Sequence, residues 1–203
     1  MAGNKEKSIV FYYRALELSY RNNDISNKIL TLLNIANYFQ EMSNFDLALD
    51  YSLQAYNGSL EIYDNVKVTE TADAALNVFK AYFGLQKIDE GIKYGEKGLE
   101  IIEPIVQKYN IHSDLQTLEE LCFLCGEAYG QKSAPYYENQ MFYFDKSFKT
   151  MKILLEKHCS ESEINKILNE LEEIDFETSI KNKIDIMVKN LKYLKNFLSL
   201  KKK

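Results

Sequence analysis

Cys122 and Cys125 form a Cys-x-x-Cys in the segment CFLC, and His158 and Cys159 stand side by side further along, so four side chains of metal-binding type are present. A zinc ion would need these donors to converge as a tetrahedron, and a redox dithiol would need one thiol activated by its surroundings. Cys122 and Cys125 instead share the apolar face of a helical segment, where thiols serve as small apolar side chains. The expectation is therefore no metal and no cofactor. His112 lies in the polar stretch YNIHSD, and His158 falls near the end of a helix, where an imidazolium suits the helix dipole. Neither has a nucleophile pattern beside it. The chain carries no G-x-S-x-G, no glycine-rich phosphate loop and no H-E-x-x-H, which points away from an enzyme. The acid pairs Glu119/Glu120 and Glu172/Glu173 read as solvated faces.

The elements that position these residues follow from composition. At 203 residues and 46% hydrophobic content the chain can bury a sizeable core or a short array of repeats. Lys and Arg number 25 against 30 Asp and Glu, and the net charge of −5 argues against a dominant phosphate-binding surface. No apolar run approaches the roughly 18 residues that a membrane helix needs. Neither nucleic acid nor membrane is an expected partner. Three unevenly placed cysteines do not make a disulfide framework, which fits a reducing, cytoplasmic compartment. With two prolines, eight glycines and almost no alternating polar and apolar runs, the fold class expected is all-α.

A helix-pair pattern recurs at intervals of about forty residues, clearest in LLNIANYFQEMSNFDLALDYSLQAY from Leu32 to Tyr56. Leu32, Ile35, Ala36 and Phe39 occupy one face of the first helix, and Leu30, Leu33 and Asn37 another. Met42 to Asn44 supply the turn, and Asp46 to Tyr56 form the second helix with Ala48 and Ala55 where the pair must approach closely. A second copy has Ala75, Val78, Phe79 and Tyr82, then Gly91, Gly95 and Gly98, with Phe79 filling the space the glycines leave and Pro104 near the helix end. A third holds Cys122, Cys125, Gly126 and Tyr129, breaks at SAPYYENQ, and resumes with Phe144 and Ser147. The stretch IVFYYRALEL looks like a second helix without its first, Ala15 matching Ala55: an N-terminal cap or a sign that the chain is a fragment.

This spacing resembles the tetratricopeptide repeat, a helix–turn–helix unit of usually 34 residues. The resemblance implies a right-handed superhelical solenoid with a half repeat at 5–22, repeats at 28–60, 72–109 and 115–158, and C-terminal capping helices at 160–203. Leu32 and Ser52 depart from the family by lacking aromatic bulk, and Phe79 by replacing a small residue. The longer intervals resemble those of peptide-sensing bacterial regulators of this superfamily and of kinesin light chains. In the family, ligand peptides lie along the first helices. The matching face here shows Leu33, Asn34, Asn37, Gln40 and Glu41, then Asn77, Lys80 and Phe83, then Phe123 and Glu127. Asn37 and Asn77 fall where the family uses asparagine to bond a peptide backbone, because an amide both donates and accepts. The resemblance thus implies a non-catalytic protein- or peptide-binding scaffold. The alternatives are a ligand-sensing domain of a peptide-responsive regulator and a homodimerising module.

Beyond residue 159, Ser160 with Glu163 forms a capping-box signature, and Ile164, Ile167, Leu171 and Ile174 follow at helical spacing. After DFETS, Ile180, Ile184, Met187, Leu191, Leu194 and Leu198 alternate by four and three, the seam of a coiled coil. Residues 161–177 hold seven acids and one lysine, and residues 181–203 eight lysines and one aspartate, which suits an antiparallel hairpin. Ile186, Tyr193 and Phe197 lie off the seam, where they face the last repeat if the hairpin caps it. A dimerisation coiled coil and a membrane-surface helix are the other two readings.

Overall fold

The computed structural model describes residues 2–62, 68–132, 136–174 and 179–201, with side chains from residue 7 to residue 200. Parts of the breaks SAPYYENQ and DFETS, at 133–135 and 175–178, lie outside these residues. The described residues form nine helices and no strand: α1 (Ala2–Arg21), α2 (Ile25–Glu41), α3 (Phe45–Ile62), α4 (Thr69–Gly84), α5 (Ile88–Tyr109), α6 (His112–Gln131), α7 (Tyr137–His158), α8 (Glu161–Glu170) and α9 (Ile180–Lys201). None is long and apolar enough to cross a membrane. The chain packs as two compact units, 1–109 and 110–203. The α6/α7 pair therefore groups with the C-terminal helices.

In the first unit each helix packs on the next, and α2 also packs on α4. One turn design closes α1, α2 and α4. Ser43 adopts a left-handed conformation at φ 56°, its amide reaches Gln40 O at 2.9 Å, and Asn44 N reaches Phe39 O at 2.8 Å. Asn23 (φ 54°) with Asp24, and Gln86 (φ 60°) with Lys87, repeat these bonds to Tyr20 and Ser19 and to Phe83 and Tyr82. This double closure satisfies the last carbonyls of a helix, usually with glycine at the left-handed position. The next helix starts at once: Asp24 Oδ1 accepts from Asn27 N at 3.1 Å, and Asn44 Oδ1 from Leu47 N at 3.3 Å. Bonds from the Asn27 side chain and backbone hold the Asp24 carboxyl below its ordinary pKa.

The core of this unit gathers Ile29, Leu32, Leu33, Ala55, Tyr56, Ala74, Ala75 and Val78. Small residues permit the close approach, as Ala48, Ala55 and Ala75 are fully buried. A Cβ on Gly91 would stand 2.9 Å from the Phe79 ring, so the bulky residue of α4 occupies the space left by the glycine of α5. Helix α5 runs past Pro104 to Tyr109, although proline removes the amide that would bond the carbonyl of Glu100. On α1, Ala15 is exposed where its counterpart Ala55 is buried, and Phe11 and Leu18 beside it are 63% and 55% exposed.

The second unit is built on the antiparallel pair α6/α7, with α8 and α9 packed on α7. Leu115, Leu121, Cys122, Cys125, Phe144, Met151 and Leu155 fill its core. A Cβ on Gly126 would meet the Phe144 ring at 2.6 Å, so this helix crossing requires glycine. Ser160 and Glu163 form the capping box that their spacing predicts. Helix α8 stops at Glu170, so Leu171 and Ile174 do not continue it. Asn190 of α9 captures the chain there, accepting from Glu172 N at 3.1 Å and donating to Glu172 O at 2.9 Å. On α9 the seam residues Ile184, Met187, Leu191, Leu194 and Leu198 are buried, while Tyr193 is exposed and Ile186 and Phe197 are half-buried. The expectation that the off-seam residues make the cap is thus reversed: the seam itself is the buried face.

Candidate functional site

In the first unit the groove residues divide by depth. Asn34 and Asn37 are exposed on α2; Gln40 on α2, and Lys80 and Phe83 on α4, are half-buried. Leu33 and Asn77, expected on the groove surface, are 7% and 5% exposed. The cause is the packing of α2 beside α4, which covers the sides of both helices that face each other. Gln40 Nε2 donates to Asn77 O across this seam at 2.9 Å, an amide bond between first helices of successive pairs. With Ala36 and Phe79 in equivalent places, Asn77 corresponds to Asn34, and Lys80 to Asn37. The polar row therefore runs through the exposed Asn34 and Asn37 and the half-buried Lys80.

Aromatic rings flank this row. Phe39 stacks on Tyr51 with centroids 5.7 Å apart, and Phe83 meets Phe79 edge-on at 6.2 Å. The Tyr13 and Tyr51 hydroxyls approach to 3.2 Å. Burial, with Tyr13 alongside, pushes the Tyr51 hydroxyl up to about 12, so it stays protonated as a neutral donor. A cavity of about 430 Å³ opens elsewhere in this unit, between the end of α1, the start of α2 and the second half of α3. Its floor is Ile29 and Leu32, and Asp24, Lys28, Gln54 and Glu61 stand around it. The groove residues do not line it.

Phe123 and Glu127 belong to the second unit. Phe123, expected to face a groove, is 8% exposed. Lys195 Nζ lies 3.7 Å from its ring centroid and 3.3 Å from Glu119 Oε2. Ser147 Oγ donates to Glu119 Oε1 at 2.7 Å. Glu119 was read as part of a solvated acid pair, yet it is 5% exposed and joins α6, α7 and α9. Burial raises its pKa, against the opposing pull of Lys195 and Ser147. A cavity of about 350 Å³ adjoins this cluster between Glu119, Met151, Leu154 and Leu198.

Two residues that the sequence reading treated singly come together. His158 Nε2 lies 2.9 Å from His112 Nδ1, with the rings edge to face. The register that sets Gly130 against Gln140 and Gly126 against Phe144 also sets His112 against His158. Their signal was the place of one at the start of α6 and the other at the end of α7, obscured by the long break between the helices. Cys122 and Cys125 are buried and Cys159 half-buried, and none of the three is in a disulfide. Among the described residues, no group of three or more His, Cys, Asp or Glu side chains is arranged to hold a metal ion.

The chain matches no protein-family model, no curated protein and no solved structure.

Proposed function

We propose that the chain is a tetratricopeptide-like helical-hairpin solenoid protein, non-catalytic, whose first unit binds an extended peptide or partner segment along α2 and α4. The observation that carries this reading is the side-by-side packing of those two helices, tied by Gln40 Nε2 to Asn77 O. In a solenoid of helix pairs the first helices of successive repeats lie next to each other and make a continuous surface. The shared turn closures of α1, α2 and α4, and the alanines at the crossings, support the same architecture. Asn34 and Asn37 present amides able to pair with a peptide backbone, Lys80 adds a positive charge, and Phe83 offers an apolar contact. Leu33 and Asn77 form the support beneath this surface.

The test is selection of a ligand from a random displayed-peptide library, then titration of the selected peptide by fluorescence anisotropy. The double variant Asn34→Ala/Asn37→Ala should bind it about tenfold more weakly or worse, about 1.4 kcal/mol, with an unchanged helical melt. Equal affinity for parent and variant would remove the groove assignment. The buried seam of α9 speaks against the homodimer reading, because α7 already covers that apolar face within the chain.

A further inference from the structure

We propose that His112 and His158 form a two-nitrogen binding site for a divalent transition-metal cation that favours right-angled coordination, the class of Ni(II) and Cu(II). These are the chain's two histidines, 46 residues apart in sequence, and the α6/α7 register brings His112 Nδ1 and His158 Nε2 to 2.9 Å. With metal–nitrogen bonds of about 2.0–2.1 Å, two nitrogens at a right angle lie about 2.9 Å apart, against about 3.4 Å in a tetrahedron. The hydrogen-bonded separation of the metal-free pair already stands close to the right-angled value, so such a cation needs the least movement of the two nitrogens.

The site is open to metal and to water. His158 is exposed and His112 half-buried, so solvent can complete the coordination sphere. In the metal-free protein the two nitrogens share one hydrogen. On binding, that hydrogen moves to the far nitrogen of its own ring, both imidazoles coordinate as neutral ligands, and no net proton is released.

The local charges roughly offset one another. The end of α7 favours a cation, and the start of α6 opposes it. Lys157, next to His158, directs its ammonium to Asn110 O at 2.8 Å. Asp114, in the first turn of α6, is a buried acid whose Oδ1 accepts from Ser113 Oγ at 3.3 Å. Affinity must therefore come from the imidazole pair. The neighbouring Cys159 thiol is a separate candidate that the experiment must exclude.

The experiment is calorimetric titration of the full chain with nickel chloride near pH 7.5. One saturable site per chain is expected near pH 7.5. Affinity should fall at least about tenfold in His112→Ala and in His158→Ala, because each variant removes one of the two ligand nitrogens. Cys159→Ser should bind as the parent does. His158 is exposed and His112 half-buried, and helical melts check that each variant is folded. Absence of saturable binding, equal binding by either histidine variant, or loss of binding in Cys159→Ser would overturn the proposal.

Discussion

Glu119 is 5% exposed and meets Ser147 Oγ at 2.7 Å and Lys195 Nζ at 3.3 Å. Burial opposes its ionisation more than these partners favour it, so its pKa in the fold stands above the ordinary value. A raised acid pKa means that the folded state holds the proton more tightly than the unfolded chain does. Its contribution to stability is full below the unfolded pKa and is lost as the pH rises through the folded one. Glu119→Gln keeps an acceptor for Ser147 and removes the buried charge, while Lys195 is exposed enough to be solvated. The stability of this variant relative to the parent should therefore increase with pH, measured as the difference in melting temperature at several values between about pH 4 and pH 8. A difference that shrinks or reverses as pH rises would mean that the Lys195 ion pair outweighs desolvation. The expectation of a solvated face at Glu119/Glu120 fails for Glu119, because α7 and α9 together cover that side of α6.

Helix α9 carries the most regular apolar pattern in the chain, and five of its seam residues are buried against the second unit. A pattern of alternating four and three specifies that a helix has one apolar stripe; it does not specify whether a second copy or the same chain covers it. Here α7 supplies the cover. Leu191 is fully buried, so Leu191→Ala should cost about 2–5 kcal/mol by lost transfer energy plus a cavity. The checking measurement is urea denaturation at two protein concentrations differing about a hundredfold. A midpoint independent of concentration is expected for parent and variant alike, whereas a midpoint that rises with concentration would return the seam to a dimer. The short length of α8 has a different cause. Asn190 captures both the amide and the carbonyl of Glu172, so bonds from another helix end α8 although the apolar spacing continues through Ile174.

At the scale of the whole chain, packing divides it into 1–109 and 110–203. The first unit has its own core, in which Ile29, Leu32, Ala55, Ala75 and Val78 are almost completely buried by one another's helices. A chain ending at Tyr109 should therefore fold by itself, and circular dichroism should show helical content and a cooperative melt. A non-cooperative melt would show that this core needs the rest of the chain.

Sequence alone determined the helical class, the place of most helices and the turns at Met42–Asn44 and Ser160. Those properties are local: helical periodicity, small residues one or two turns apart, and side chains that bond the nearest free amides. The hydrogen-bonded turns at Asn23 and Gln86 follow the same local logic, though no glycine marked them. Tertiary structure decided which faces those helices keep. Leu33, Asn77 and Phe123 are buried and Glu119 loses its water because each depends on which second helix lies alongside. The meeting of His112 with His158 has the same origin, since it follows from the antiparallel register of α6 and α7, in which Gly126 stands against Phe144 and Gly130 against Gln140.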